Sequence, residues 1–115
     1  MRDEIMWWMS RLTIMLTSLF LSFSLAAQAY ATEIQMGSGG NLVFEPNEVT
    51  IDAGETVTFV NNALPPHNII FDKFASLSRE SLMFTPGETQ EIKFATAGDY
   101  DFKCAPHEGA GMKGV

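Results

Sequence analysis

A thiol, an imidazole and a thioether fall within one short run near the C-terminus, Cys104-Ala105-Pro106-His107-Glu108-Gly109-Ala110-Gly111-Met112. The other histidine stands in Leu64-Pro65-Pro66-His67-Asn68, so both histidines and the single cysteine of the chain belong to two proline-marked loops. Two imidazoles, a thiolate and a thioether form the donor set of a blue-copper site, trigonal His-His-Cys with a long, weak axial methionine. Soft sulfur favours Cu(I) and imidazole suits both oxidation states, so such a site exchanges one electron with little movement of its ligands. Each residue alone has an ordinary use: free cysteine packs as a small hydrophobe, methionine fills gaps, and histidine hydrogen-bonds near the surface. Their concentration at this spacing favours a metal, and methionine makes zinc a poor match. Gly109 and Gly111 allow a sharp return of the chain to Met112. Pro106 stiffens the segment between Cys104 and His107.

The elements that must position these loops are strands. Apolar residues recur with period two at Val49 and Ile51, at Val57 and Phe59, and at Ile92 and Phe94, each pair set among polar neighbours. Turn signals separate them at Gly37–Gly40, Asp52–Glu55, Thr85–Glu88 and Ala97–Asp99. Many short strands with frequent turns imply an all-β antiparallel sandwich or barrel. Tyr100, Phe102 and Cys104 share one strand face, which directs Cys104 inward and Asp99, Asp101 and Lys103 outward. Phe44, Phe59, Phe71, Phe84, Phe94, Tyr100 and Phe102 are the expected large core residues. The stretch 73–80 lacks alternation and reads as a loop or a single helical turn. Only Lys113, Gly114 and Val115 follow Met112, so the C-terminal strand reads as truncated.

Composition divides the chain at position 31. Arg11 precedes a largely apolar stretch, Leu12 to Ala27, that leads to Ala29-Tyr30-Ala31, the layout of a cleavable signal peptide over residues 1–31. That stretch falls short of the roughly 20 apolar residues of a membrane span. Residues 32–115 are then the working domain, carrying the whole net charge of −7. Negative charge of this density repels phosphate backbones and anionic lipid, which argues against nucleic-acid binding and peripheral membrane attachment; no stable membrane insertion of the mature domain is expected. Export to an oxidising compartment leaves Cys104 in need of a role, since a lone cysteine forms no internal disulfide.

Three runs carry a resemblance to a known family: Asn61-Asn62-Ala63-Leu64-Pro65-Pro66-His67-Asn68, Tyr100-Asp101-Phe102-Lys103-Cys104-Ala105-Pro106-His107, and Glu108-Gly109-Ala110-Gly111-Met112. They resemble the plastocyanins, blue-copper cupredoxins of oxygenic photosynthesis, over nearly all of 32–115. The resemblance implies a Greek-key β-sandwich of the cupredoxin type, with His67, Cys104, His107 and Met112 as ligands to one copper ion cycling between Cu(I) and Cu(II). Asn68 would steady the two ligand loops and the thiolate. The implied function is one-electron transport from cytochrome f to photosystem I in the thylakoid lumen, by a monomer. An apolar face of Leu42, Leu64, Pro65, Pro66, Gly109 and Ala110 around His107 would dock partners.

Two departures stand out against that pattern. Lys103 replaces the tyrosine that usually precedes the copper cysteine, and the segment between Asp72 and Pro86 is short and lacks acidic runs. Docking is therefore expected to rely on the apolar face and diffuse charge. The alternatives are a non-photosynthetic carrier of pseudoazurin type, in a periplasm-like space, and a copper chaperone; the mixed donor set disfavours the chaperone. An enzyme is not expected, because with both histidines committed to one site none is left to serve as a general base.

Overall fold

The computed structural model describes residues 32–63 and 65–115. The leader expected at 1–31 and Leu64 of the docking face lie outside the described residues. Eight strands follow in order: β1 Thr32–Met36, β2 Phe44–Glu45, β3 Thr56–Asn61, β4 His67–Ile69, β5 Arg79–Met83, β6 Thr89–Lys93, β7 Phe102–Lys103 and β8 Lys113–Gly114. No helix among the described residues is long and apolar enough to cross a membrane.

Alternation builds the first layer, ordered β2-β1-β3-β6, with β1 parallel to β3 and the other pairs antiparallel. Ile34, Met36, Val57, Phe59 and Ile92 are buried, while Glu33 and Glu91 between them face solvent. In the second layer β5 pairs with β4 and β7 with β8. Mutual Ile70–Lys103 backbone hydrogen bonds of 2.9 and 3.0 Å join those pairs along the line β5-β4-β7-β8. The chain passes from the first layer to the second after β3, back after β5 and across again after β6, the connectivity of the all-β cupredoxin sandwich. Phe102 fastens the layers together, its ring meeting Phe44 at 4.8 Å and Phe59 at 5.4 Å, both edge-on. Such aromatic pairs are worth about 0.5–1.5 kcal/mol beyond their area.

Four expectations change. Phe84 is 59% exposed rather than core, because Met83 already faces inward and the pleat turns the next residue out. Tyr100 is only half-buried, stacked between Phe94 and Phe74 at the rim. Val49 and Ile51 form no strand: only Val49 N–H finds a ladder partner, the Val115 carbonyl at 3.0 Å. The stretch 73–80 holds a 3₁₀ turn at Ala75–Leu77, but its last two residues already belong to β5. β8 is short yet paired on both sides, since Val115 N–H also donates to the Asn47 carbonyl at 2.9 Å. A groove of about 180 Å³ opens between residues 49–53 and 96–102, floored by Ile34, Val57 and Phe59.

Candidate metal centre

His67 opens β4, Cys104 follows β7, and His107 sits in a 3₁₀ turn at Ala105–Ala110. The antiparallel Ile70–Lys103 bridge runs the residues after 103 back beside those before 70, which brings Cys104 alongside His67 across 37 positions of sequence. The turn then folds His107 over both. The His67 Nδ1–His107 Nδ1 separation is 3.2 Å, Cys104 Sγ–His107 Nδ1 is 3.3 Å and Cys104 Sγ–His67 Nδ1 is 3.7 Å. A triangle with those sides has its centre about 2 Å from every corner, the length of a transition-metal bond to imidazole nitrogen or thiolate sulfur. His67 and Cys104 are fully buried and His107 is half-buried. Side chains so arranged fit one copper ion in donor type, distance and shelter from water.

The electrostatics suit a cation at that centre. Burial, then the neighbouring His107, hold the His67 imidazole below its ordinary pKa, while the Ala63 carbonyl opposes them. Both effects favour the neutral imidazole, the form that can ligate. Burial pushes the Cys104 thiol up, and backbone N–H groups of Asn68 and His107 beside the sulfur pull the other way. With a metal bound, Cys104 would be held as the thiolate, and those N–H groups would support its charge.

Backbone and side-chain hydrogen bonds fix the ligand loops. Asn68 Oδ1 accepts from Ala105 N–H at 2.9 Å and Asn68 Nδ2 donates to the Glu80 carbonyl at 3.2 Å, so one buried amide ties β4, β5 and the cysteine loop together. Cys104 N–H donates to the Met112 carbonyl at 3.0 Å, and Met112 N–H to the His107 carbonyl at 3.3 Å. Met112 is fully buried at the close of this loop. Gly111 takes φ +87° there, whereas Gly109 keeps a negative φ and is not needed for the return.

Sequence reasoning missed two contributors. Gly37, φ +78°, presses against His67: a Cβ there would lie 2.6 Å from His67 Nε2 and 3.0 Å from the Ala63 carbonyl oxygen. Its only signal was membership of a glycine-rich turn. Lys103, expected on the outward face, is paired there with Asp72 and Glu108 at 3.1 Å each. Nothing in the local pattern announces those partners. Of the expected docking face, Pro65, Gly109 and Ala110 are exposed, Pro66 is half-buried, and Leu42 is half-buried against the core.

The sequence pattern of the copper-binding proteins of the plastocyanin/azurin family matches residues 30–115. A chloroplastic plastocyanin of Tetradesmus obliquus is 48% identical over 101 residues, 80% of this chain and 70% of the relative. A plastocyanin of Scenedesmus fuscus is 52% identical over 91 residues, 71% of this chain and 93% of the relative. Among solved structures, a mutant fern plastocyanin superposes with TM-score 0.66 at 33% identity, covering 72% of this chain and 95% of its own. Amicyanin from Paracoccus versutus superposes with TM-score 0.61 at 33% identity, covering 78% and 82%.

Proposed function

We propose, since this chain belongs to the plastocyanin/azurin family of copper-binding proteins, that it carries single electrons from cytochrome f to photosystem I. The chain is a blue-copper electron carrier rather than an enzyme, with copper as its cofactor and redox proteins as its partners. Copper, when bound, supplies the one-electron step between Cu(I) and Cu(II). His67, Cys104 and His107 would hold the ion, and Met112, buried at the close of the same loop, would add a thioether sulfur. The observation that carries this reading is the triangle of donor atoms at 3.2, 3.3 and 3.7 Å, assembled from segments far apart in sequence.

Ligands held this way have little freedom to rearrange between oxidation states, which keeps electron exchange fast. His107 is the least buried of the three, so the electron enters and leaves through its ring. Pro65, Pro66, Gly109 and Ala110 around it shed water readily and let a partner approach closely. The leader expected at 1–31 and the chloroplastic relatives support a thylakoid-lumen location for residues 32–115. The structural likeness to amicyanin supports a second reading, a small blue-copper carrier outside photosynthesis.

Copper added to the purified protein is expected to give an intense blue, bleached reversibly by a one-electron reductant. A colourless or pale product sinks the blue-copper reading. Rapid reduction of photo-oxidised photosystem I by the reduced protein separates the two carriers; failure there, with the blue colour intact, favours the second.

A further inference from the structure

We propose that Lys103 is a positioning residue of the copper centre, its ammonium clamping the His107 turn to the segment after β4 through Glu108 and Asp72. This inference rests on the copper reading above and extends it to groups outside the ligand set. Lys103 Nζ lies 3.1 Å from Asp72 Oδ2 and 3.1 Å from Glu108 Oε2. The backbone of Lys103 is itself fixed by two hydrogen bonds to Ile70, just before Asp72. Glu108 follows His107 directly, and its carbonyl accepts from Gly111 N–H at 2.9 Å in the turn back to Met112. One ammonium thus joins three segments, of which the ladder connects only the first two.

Surface ion pairs are usually worth little, because long side chains give up rotamer freedom in water to make them. Here that cost is reduced in advance. The Lys103 side chain is only 21% exposed, against 68% for Asp72 and 48% for Glu108, and its backbone sits in the sheet. The ammonium donates to both carboxylates at once, so each pair helps to fix the geometry of the other. The same contacts determine the local charge: two carboxylates share one cation next to Cys104, so this face carries less negative field than the acidic residues alone suggest. A positive charge near the site disfavours Cu(II), and a negative one favours it.

That opposition in sign makes the clamp testable. The copper-loaded protein and its Lys103→Met, Lys103→Arg and Glu108→Gln variants are compared in two measurements, the reduction potential at low and high salt, and the rate at which excess chelator strips the oxidised metal. Lys103→Met is expected to lower the potential and Glu108→Gln to raise it, with both shifts shrinking in high salt. Both variants are expected to lose copper faster, by about tenfold, the lower end for groups that orient metal ligands. Lys103→Arg is expected to hold close to the wild-type rate. Accelerated loss in both variants establishes the clamp, and potential shifts of opposite sign beside it exclude a general loosening of the fold, which would not reverse the sign. Wild-type stripping rates in folded Lys103→Met and Glu108→Gln proteins overturn it. Where Lys103→Met does not fold, Glu108→Gln, altered at a half-exposed carboxylate, decides alone. A wild-type protein that takes up no copper overturns the reading beneath; one that does, with variants that match it, overturns only the clamp.

Discussion

Between Cys104 and Met112 the backbone closes on itself, through Cys104 to Met112, Gly111 to Glu108 and Met112 to His107 hydrogen bonds. The Asn68 amide and the Lys103 ammonium then tie this loop to β4 and β5. At the opposite end of the sandwich, residues 50–51 and 99–101 make no backbone-to-backbone hydrogen bond among the described residues, and they flank the open groove over Val57 and Phe59. Both ends belong to one sandwich and share the Phe102 ring stack, yet only one is over-determined. Coordination distances tolerate errors of a few tenths of an ångström, so the ligand end must be held from several directions. The far end contributes apolar burial, which is non-directional and survives a shallow groove.

Substitutions at the two ends should therefore fail in different ways. Cys104→Ser has the largest expected effect: complete loss of the blue absorption, with the far end still folded and circular dichroism retained. Retained colour would separate the thiolate from the copper site. Gly37→Ala comes next. The left-handed φ of +78° costs a side chain about 1–2 kcal/mol. The new Cβ also strikes His67, so urea unfolding should shift earlier and the visible spectrum should change together. A stability loss with an unaltered spectrum would show that Gly37 supports the strand end and not the ligand.

Asn68→Ala removes one acceptor and one donor bond at a buried position, an expected loss of about 1–2 kcal/mol in denaturant titration. Copper release should quicken in parallel. The smallest effect belongs to the groove. Val49→Ile adds a methylene where there is room, with an expected gain of about 0.5–1 kcal/mol and no spectral change. A spectral shift in that variant would mean that the two ends communicate through the core and would break the comparison.

Much of this was legible in the residues. The donor types and the spacing of Cys104, His107 and Met112 named the metal chemistry, and period-two alternation marked β3 and β6. Phe84 departs from its expected place because alternation reports only that neighbours face opposite ways, and Met83 has the interior position. Val49 and Ile51 alternate as a strand would, but a strand also needs partners along its length, and Val115 reaches only Val49 and Asn47. Lys103 was assigned to the outward face by phase, and phase does not say what lies across from it.

By itself, then, the sequence determined which atoms could bind copper and, along β3 and β6, which residues turn inward, since those follow from side-chain chemistry and backbone periodicity within a few positions. Only the tertiary structure decided that His67 meets Cys104 across 37 residues, that Gly37 presses on the imidazole, and that Asp72 and Glu108 share one ammonium. Those contacts depend on the register between strands that are not neighbours in the chain. That register is set by the packing of the whole sandwich, which no local pattern encodes.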